Sequence, residues 1–327
     1  PYRVHAAVRE EFGLPTSRSG DGALCSRCVN RCRIPEGEAG LCGVRRSEGG
    51  RIVGVGKRAG VQWYYDPLPT NCVGMPFCAG SGGVGYPEYS VSEGEEWGCQ
   101  NLAVFYQACG FDCLFCQNWH FRDGLTRPTL RTAEQLAAAV DRRTTCICYF
   151  GGDPTPQIEH ALAAARLARD RAGGRILRIC WETNGSMNLG RAREAMRLSL
   201  ESGGCVKFDL KALTPELHQV LCGTSNEWTL RNFRALAEMA QARPAPPGLI
   251  ASTLLVPGYV TPDEVARIAA FIATCGPDIP YALLGFYPQF YMNDLPTTSR
   301  REAEACLDAA QNAGLTRVRL GNEHLLI

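Results

Sequence analysis

The sequence predicts an α/β protein: a partial (β/α)6 TIM-like barrel over residues 101–327, preceded by a small cysteine- and glycine-rich N-terminal extension over residues 1–100. Three observations carry that prediction. From about residue 101 onward, short apolar segments alternate with helical ones, the pattern of a parallel sheet with right-handed crossovers. The unusual residues of that part fall at the ends of the apolar segments, on the rim where parallel barrels build active sites. The first hundred residues are rich in Gly, Pro and Cys instead, with no long periodic helix after the first few turns.

Taken in order, 25–45 reads as a small metal-stabilised module and 51–98 as strands and loops packed against the barrel. Strand segments follow at 101–108, 145–150, 176–181, 206–210, 250–256 and 282–286, each short, apolar and flanked by Gly, Pro, Asn or Asp. A final strand is expected at 316–320. Helical spacing of Ala, Leu and charged residues marks 157–170, 189–199, 227–240 and 299–313. Thr132-Ala-Glu-Gln opens another helix with a capping-box pattern, as does Thr261-Pro-Asp-Glu, where Pro262 suits the first helical position. Pro244-Ala-Pro-Pro247 makes a rigid turn before the fifth strand.

A chain of 327 residues can bury a large core. Its 34 basic and 33 acidic residues leave a net charge of +1, so no field draws it to nucleic acid or to a membrane. No apolar run of about 18 residues appears. The start, Pro1-Tyr-Arg-Val-His, lacks an initiating Met and the apolar core of a signal peptide, and reads as trimmed. Seventeen cysteines need a cause. In a chain of this size, clustered and metal-spaced cysteines point to metal binding in a reducing, oxygen-poor cytoplasm rather than to a disulfide framework.

The most informative stretch is Cys109-Gly-Phe-Asp-Cys113-Leu-Phe-Cys116, three thiols from one loop. An iron–sulfur cube takes four soft ligands, so three leave one iron open to a cofactor or substrate. A zinc site, or a cluster closed by a distant fourth cysteine, is the alternative on spacing alone. This loop resembles that of the radical S-adenosylmethionine (radical SAM) superfamily, with Phe115 before the last cysteine. Gln117-Asn118-Trp119 narrows the likeness to the branch containing pyruvate formate-lyase activating enzyme and the AmmeMemoRadiSam-type proteins. The resemblance implies a [4Fe–4S] cluster whose open iron is chelated by S-adenosylmethionine. It also implies reductive cleavage to a 5′-deoxyadenosyl radical, and an electron donor of the flavodoxin or ferredoxin type.

Further elements fit the same likeness. Gly151-Gly152-Asp153 resembles a Gly-Gly-Glu element whose backbone accepts from the methionine ammonium, with the shorter Asp in place of Glu. Glu182 and Asn184, in Glu-Thr-Asn-Gly, would pair with that ammonium or the ribose hydroxyls, and Asp209 and Lys211 would hold the carboxylate. A solvated pair is the plainer reading of Asp209 and Lys211. Pro257, in Val256-Pro257-Gly258, would shape the adenine and ribose side. Tyr287 stands where related sequences often carry His, and would donate a hydrogen bond or hydrogen atom, or serve as a neutral core residue. Phe111, Phe115 and Trp119 would shield the cluster from water or simply pack.

Cys25, Cys28, Cys32 and Cys42 offer four thiols within eighteen residues, suited to a closed auxiliary [4Fe–4S] cluster or to zinc. Cys72, Cys78 and Cys99 bracket a glycine-rich loop and would either bind a further cluster or stay as buried thiols. Cys146, Cys148, Cys180, Cys205, Cys275 and Cys306 read as packing, and Cys222 as the exception to test. His120 reads as a surface residue. The function expected is hydrogen abstraction from an unidentified small-molecule, peptide or protein substrate, aided by auxiliary metal centres. A glycyl-radical activating enzyme and a non-catalytic iron–sulfur or zinc scaffold are the alternatives. The absence of cysteine from 117–144 weakens the activating reading, because known activating enzymes with extra clusters carry them there.

Overall fold

The computed structural model describes residues 2–18 and 20–327. Helix α1 (Tyr2–Glu11) leads into two short hairpins, β1 (Ala23–Leu24) with β2 (Arg33–Ile34) and β3 (Arg46–Glu48) with β4 (Arg51–Val53). Strand β5 (Arg58–Pro67) and the single turn α2 (Ala79–Gly82) precede β6 (Gln100–Tyr106). Then come α3 (Asp123–Thr126), β7 (Leu130–Thr132), α4 (Ala133–Ala138) and β8 (Thr144–Gly151). The repeating part continues with α5 (Ile158–Ala172), β9 (Arg178–Thr183), α6 (Leu189–Ser202), β10 (Val206–Asp209), α7 (Pro215–Cys222) and α8 (Glu227–Ala240). It closes with β11 (Leu249–Leu255), α9 (Pro262–Cys275), β12 (Tyr281–Gly285), α10 (Arg300–Asn312) and β13 (Val318–Gly321).

Nine strands form one sheet in the order β13-β12-β11-β10-β9-β8-β6-β5-β7. The run from β6 through β13 is parallel, while β5 pairs antiparallel with both β6 and β7. The parallel strands are buried nearly throughout because helices cover their outer face, which is why they read as continuous apolar runs. The expected boundary at residue 100 is crossed by this sheet: β5 gives seven residues to the ladder with β6. Its run of exposed polar and aromatic residues, Gln62, Tyr64 and Tyr65, hid it among loops in the sequence.

Local chemistry explains the helix ends. Thr132 accepts from the Gln135 backbone while the Gln135 side chain accepts from the Thr132 backbone, completing the capping box. The similar pattern at Thr261 does not close. Glu264 is buried and accepts instead from the Leu213 and Thr214 backbones, at 2.7 and 2.8 Å, tying α9 to the loop after β10. Helices α5, α6 and α7 end at left-handed Gly173, Gly203 and Gly223.

Candidate active site

The cluster loop leaves β6 and is gripped from three sides. The Gly152 and Asp153 backbones donate to Tyr106 and Ala108, at 2.9 and 2.8 Å. On the far side, Asp112 and Leu114 donate to the carbonyls of Cys222 and Leu221, at 3.0 Å each. From the N-terminal module, Asn30 donates to the Gly110 carbonyl at 2.6 Å. So held, Cys109, Cys113 and Cys116 face one cleft of about 200 Å³ at the C-terminal ends of the strands. Burial pushes the Cys109 thiol up and the Cys116 thiol up to about 11, while the neighbouring Cys222 thiol, with burial, raises Cys113.

The same cleft gathers most of the residues singled out above. Gly151, Gly152, Asp153, Glu182, Asn184, Asp209 and Lys211 all line it, as do Phe111 and Phe115. The two glycines are required by close approach: a Cβ on Gly152 would stand 2.3 Å from the Ala108 carbonyl oxygen, and one on Gly151 would stand 2.6 Å from the Tyr106 nitrogen. Asp153 is almost fully buried and spends both oxygens within the chain. It accepts from the Thr155 backbone at 2.7 Å, the Thr183 hydroxyl at 2.9 Å and the Asn184 backbone at 2.8 Å. The carboxylate therefore braces the ends of β8 and β9 against each other.

Asn184 points its amide at the Cys109 sulfur, 3.7 Å away. Lys211 pairs with Asp209 at 2.9 Å, and Ser252 fixes the other Asp209 oxygen at 2.9 Å. Glu182 stands on the border between the cleft and the barrel lumen, paired at 2.6 Å with the buried Lys207.

Three expected residues lie elsewhere. Tyr287 is 49% exposed and Pro257 half-buried, and neither lines the cleft. Strand alternation explains Tyr287: its neighbour Phe286 takes the inward, fully buried position, so Tyr287 turns out. Leu254 and Leu284 line the cleft from β11 and β12 in their place. Trp119 stacks on Phe290, ring centroids 5.6 Å apart, outside the cleft. His120 is exposed beside Asp123, the surface position expected of it.

Sequence reasoning missed a buried charge network behind the loop. Asp112 receives Arg122 at 2.7 Å and His5 at 3.1 Å, with Arg9 at 3.8 Å. Arg122 also lines the cleft, and its guanidinium lies over the Phe121 and Phe290 rings. An ionisable residue inside the Cys-x3-Cys spacing, Asp112, was the available signal.

Ten of the other fourteen cysteines fall into two groups. Cys25 and Cys32 share a small core with Ile34 and Leu41; Cys42 is close enough to raise both thiols, and all three raise Cys28 beyond what its burial does. Cys72 and Cys78 line the barrel lumen, whereas Cys99 does not. Cys146, Cys148, Cys180 and Cys205, expected as isolated packing residues, line that same lumen. Among the described residues, no three Cys, His, Asp or Glu side chains converge tightly enough to hold a single metal ion. No helix among them is long and apolar enough to cross a membrane.

The sequence pattern of the radical SAM superfamily matches residues 103–272, more than half of the chain and all of the cleft's cysteine loop. The chain belongs to the radical SAM superfamily. It is 34% identical over 160 residues to the isethionate sulfite-lyase activating enzyme of Desulfovibrio desulfuricans, a match covering 48% of this chain and less than half, 47%, of that enzyme. It is 29% identical over 180 residues to the pyruvate formate-lyase 1-activating enzyme of Escherichia coli K12, covering 53% of this chain and 68% of that one. An uncharacterised protein of Methanocaldococcus jannaschii is 23% identical over 304 residues, 91% of this chain and 80% of that one. A radical SAM methyltransferase of Sphaerobacter thermophilus shares the fold, with a TM-score of 0.52, 17% identity, and coverage of 68% of this chain and 67% of that one.

Activating enzymes of isethionate sulfite-lyase and of pyruvate formate-lyase are thus among the proteins this chain is similar to, and it spans less than half the length of the first of them. The family uses a [4Fe–4S] cluster and S-adenosylmethionine. The cleft fits that pair: three soft donors face it from one loop, and a fixed ammonium, Lys211, stands on its wall.

Proposed function

We propose that Cys109, Cys113 and Cys116 hold the [4Fe–4S] cluster, which would supply the electron that splits S-adenosylmethionine into methionine and a 5′-deoxyadenosyl radical; that radical would take hydrogen from a small-molecule, peptide or protein substrate, leaving 5′-deoxyadenosine and a substrate radical. The observation that carries this reading is the convergence of three thiols, Lys211 and the Gly151–Asp153 turn on one cleft. Lys211, oriented by Asp209, holds the carboxylate of the methionine moiety as a point charge. The Gly151 carbonyl and Glu182 face its ammonium. Asp153 acts as a positioning residue, fixing Thr183 and Asn184, and Asn184 hydrogen-bonds a ligand sulfur. Phe111 and Phe115, each 3% exposed, keep water from the cluster.

The segment from 23 to 53 is the auxiliary metal-binding unit, with Cys25, Cys28, Cys32 and Cys42 as ligands. Its Cys28 sulfur lies 3.8 Å from where a Gly110 Cβ would stand, so the unit abuts the cluster loop. Four thiolates on this spacing suit an auxiliary [4Fe–4S] cluster or zinc. A flavodoxin- or ferredoxin-type protein supplies the electron in a reducing cytoplasm. The names of the relatives support a second reading, in which the substrate is a protein partner that receives a glycyl radical.

Anaerobic reconstitution followed by dithionite and S-adenosylmethionine tests the first reading. Formation of 5′-deoxyadenosine, lost in Cys113→Ala, supports it; iron binding with no 5′-deoxyadenosine under any candidate substrate overturns it. An electron paramagnetic resonance signal on a partner glycine would decide for the second.

A further inference from the structure

Below the cofactor cleft, the barrel lumen encloses a second cavity of about 150 Å³, separated from the first by Phe150 and Glu182, which line both. Barrel interiors are normally filled by bulky branched side chains. Here the register does something else. Ala103 on β6 pairs with Cys148 on β8, and Cys148 pairs with Cys180 on β9. The Trp181 backbone donates to the Cys205 carbonyl at 2.9 Å, which carries the same rung across to the start of β10. Cys146 faces the cavity one rung below, donating to Asn101 at 3.3 Å.

The open side of the lumen is covered by the segment between β5 and β6, which contributes Cys72 and Cys78. That cover is pinned from the opposite edge of the sheet, where Arg319 donates to the Cys72 and Val73 carbonyls at 3.3 Å. Six thiols from four chain segments thus surround one cavity.

At its wall stands Lys207, with only 2% of its side chain exposed, donating to the Cys72 sulfur at 2.9 Å and the Cys148 sulfur at 3.2 Å. Ordinary packing does not explain this set. Close-packed cores seldom leave such a space between six thiols, and the buried ammonium, already ion-paired with Glu182 at 2.6 Å, adds bonds to two sulfurs that this pairing does not need. Small thiols leave the space open, and a lysine aimed at two sulfurs is what an anionic thiolate-bound group requires. Six soft donors lining one cavity suit a polynuclear group that presents a separate metal atom to each sulfur.

We propose that the lumen binds an iron–sulfur cluster through Cys72, Cys148 and two of Cys78, Cys146, Cys180 and Cys205, with Cys72 and Cys148 fixed by N–H···S bonds from Lys207. Each ligand gives up its thiol proton as the cluster enters. Hydrogen bonds to ligand sulfurs set the potential of such clusters, and Lys207 supplies two.

The test removes the cofactor-site cluster first. The full chain carrying Cys109→Ala, Cys113→Ala and Cys116→Ala is reconstituted anaerobically with ferrous iron and sulfide, and its iron, sulfide and zinc are counted. Adding Cys72→Ser and Cys148→Ser is expected to lower the count by roughly four irons and four sulfides per chain. An unchanged count overturns the proposal, as does zinc in place of iron or a Cys180–Cys205 disulfide in the anaerobically purified protein. Should the serine variant misfold by circular dichroism, Lys207→Gln in the same loop-free background keeps every thiol. It is expected to retain the iron and shift one cluster's reduction potential, and an unshifted potential overturns the proposal. Because the loop cysteines are absent throughout, failure here is distinct from a failure to form 5′-deoxyadenosine.

Discussion

Asp153 shows how one substitution of a familiar motif is absorbed. With three donors on its two oxygens, it is a bracket between strand ends. Asp153→Ala would orphan three donors, at about 1–3 kcal/mol for each left buried and unpaired; chemical denaturation should show a loss of about 3 kcal/mol or more. Gly152→Ala acts through sterics alone, since its Cβ would meet the Ala108 carbonyl at 2.3 Å. A destabilisation of roughly 1–3 kcal/mol is expected from the backbone shift, with reduced cluster retention, read by denaturant midpoint and iron count. Asp112→Ala leaves Arg9 and Arg122 buried without their carboxylate, and a loss of about 3–5 kcal/mol is expected. An Asp112→Ala chain as stable as the parent would remove the network from any role in holding the loop.

At the scale of elements, the cover over the lumen is fastened by one ion pair. Arg178 on β9 grips both oxygens of Glu96, at 2.7 and 2.6 Å, and Thr145, Ser90 and the Val91 backbone donate to the same carboxylate. Burial alone would raise Glu96, but these donors outweigh it and hold the group at about 2. A depressed carboxylate contributes stability that is present above its unfolded value, about 4.3, and is lost as the pH falls through about 2. Unfolding free energy should therefore drop between pH 4 and 2, and Glu96→Gln should flatten that slope while costing about 3–5 kcal/mol at pH 7. An equal acid slope in both chains would contradict it.

The parallel strands were legible in the sequence to within two or three residues because burial on both faces makes them apolar throughout. So was the Thr132 cap. Strand β5 was not, because its exposed residues break the apolar run. The cysteines of β8, β9 and β10 each look like packing when read alone. Only strand register brings Cys148, Cys180 and Cys205 onto one rung, and no local pattern encodes register between segments thirty residues apart. Tyr287 failed for a related reason, since a one-residue choice at a strand end decides inward from outward.

Across the whole molecule, the N-terminal module is built onto the cluster loop. Val29 and Asn188 exchange backbone bonds with Ser186 and Arg27, at 3.0 and 2.9 Å, and Asn30 bridges Gly110 and Thr224. Asn30→Ala should cost about 1–3 kcal/mol and loosen the loop without touching a thiol. Its mark would be faster loss of iron from the Cys109 loop on exposure to a chelator. The most direct single measurement is electron–nuclear double resonance on the reduced, reconstituted protein with S-adenosylmethionine labelled with ¹⁵N at the amino group and ¹⁷O at the carboxylate. Hyperfine coupling from both labels to one cluster, abolished in Cys113→Ala, is the result expected of a cube held by three thiolates. A cluster that shows no coupling, with its fourth iron taken by a protein side chain such as Cys222, would contradict it.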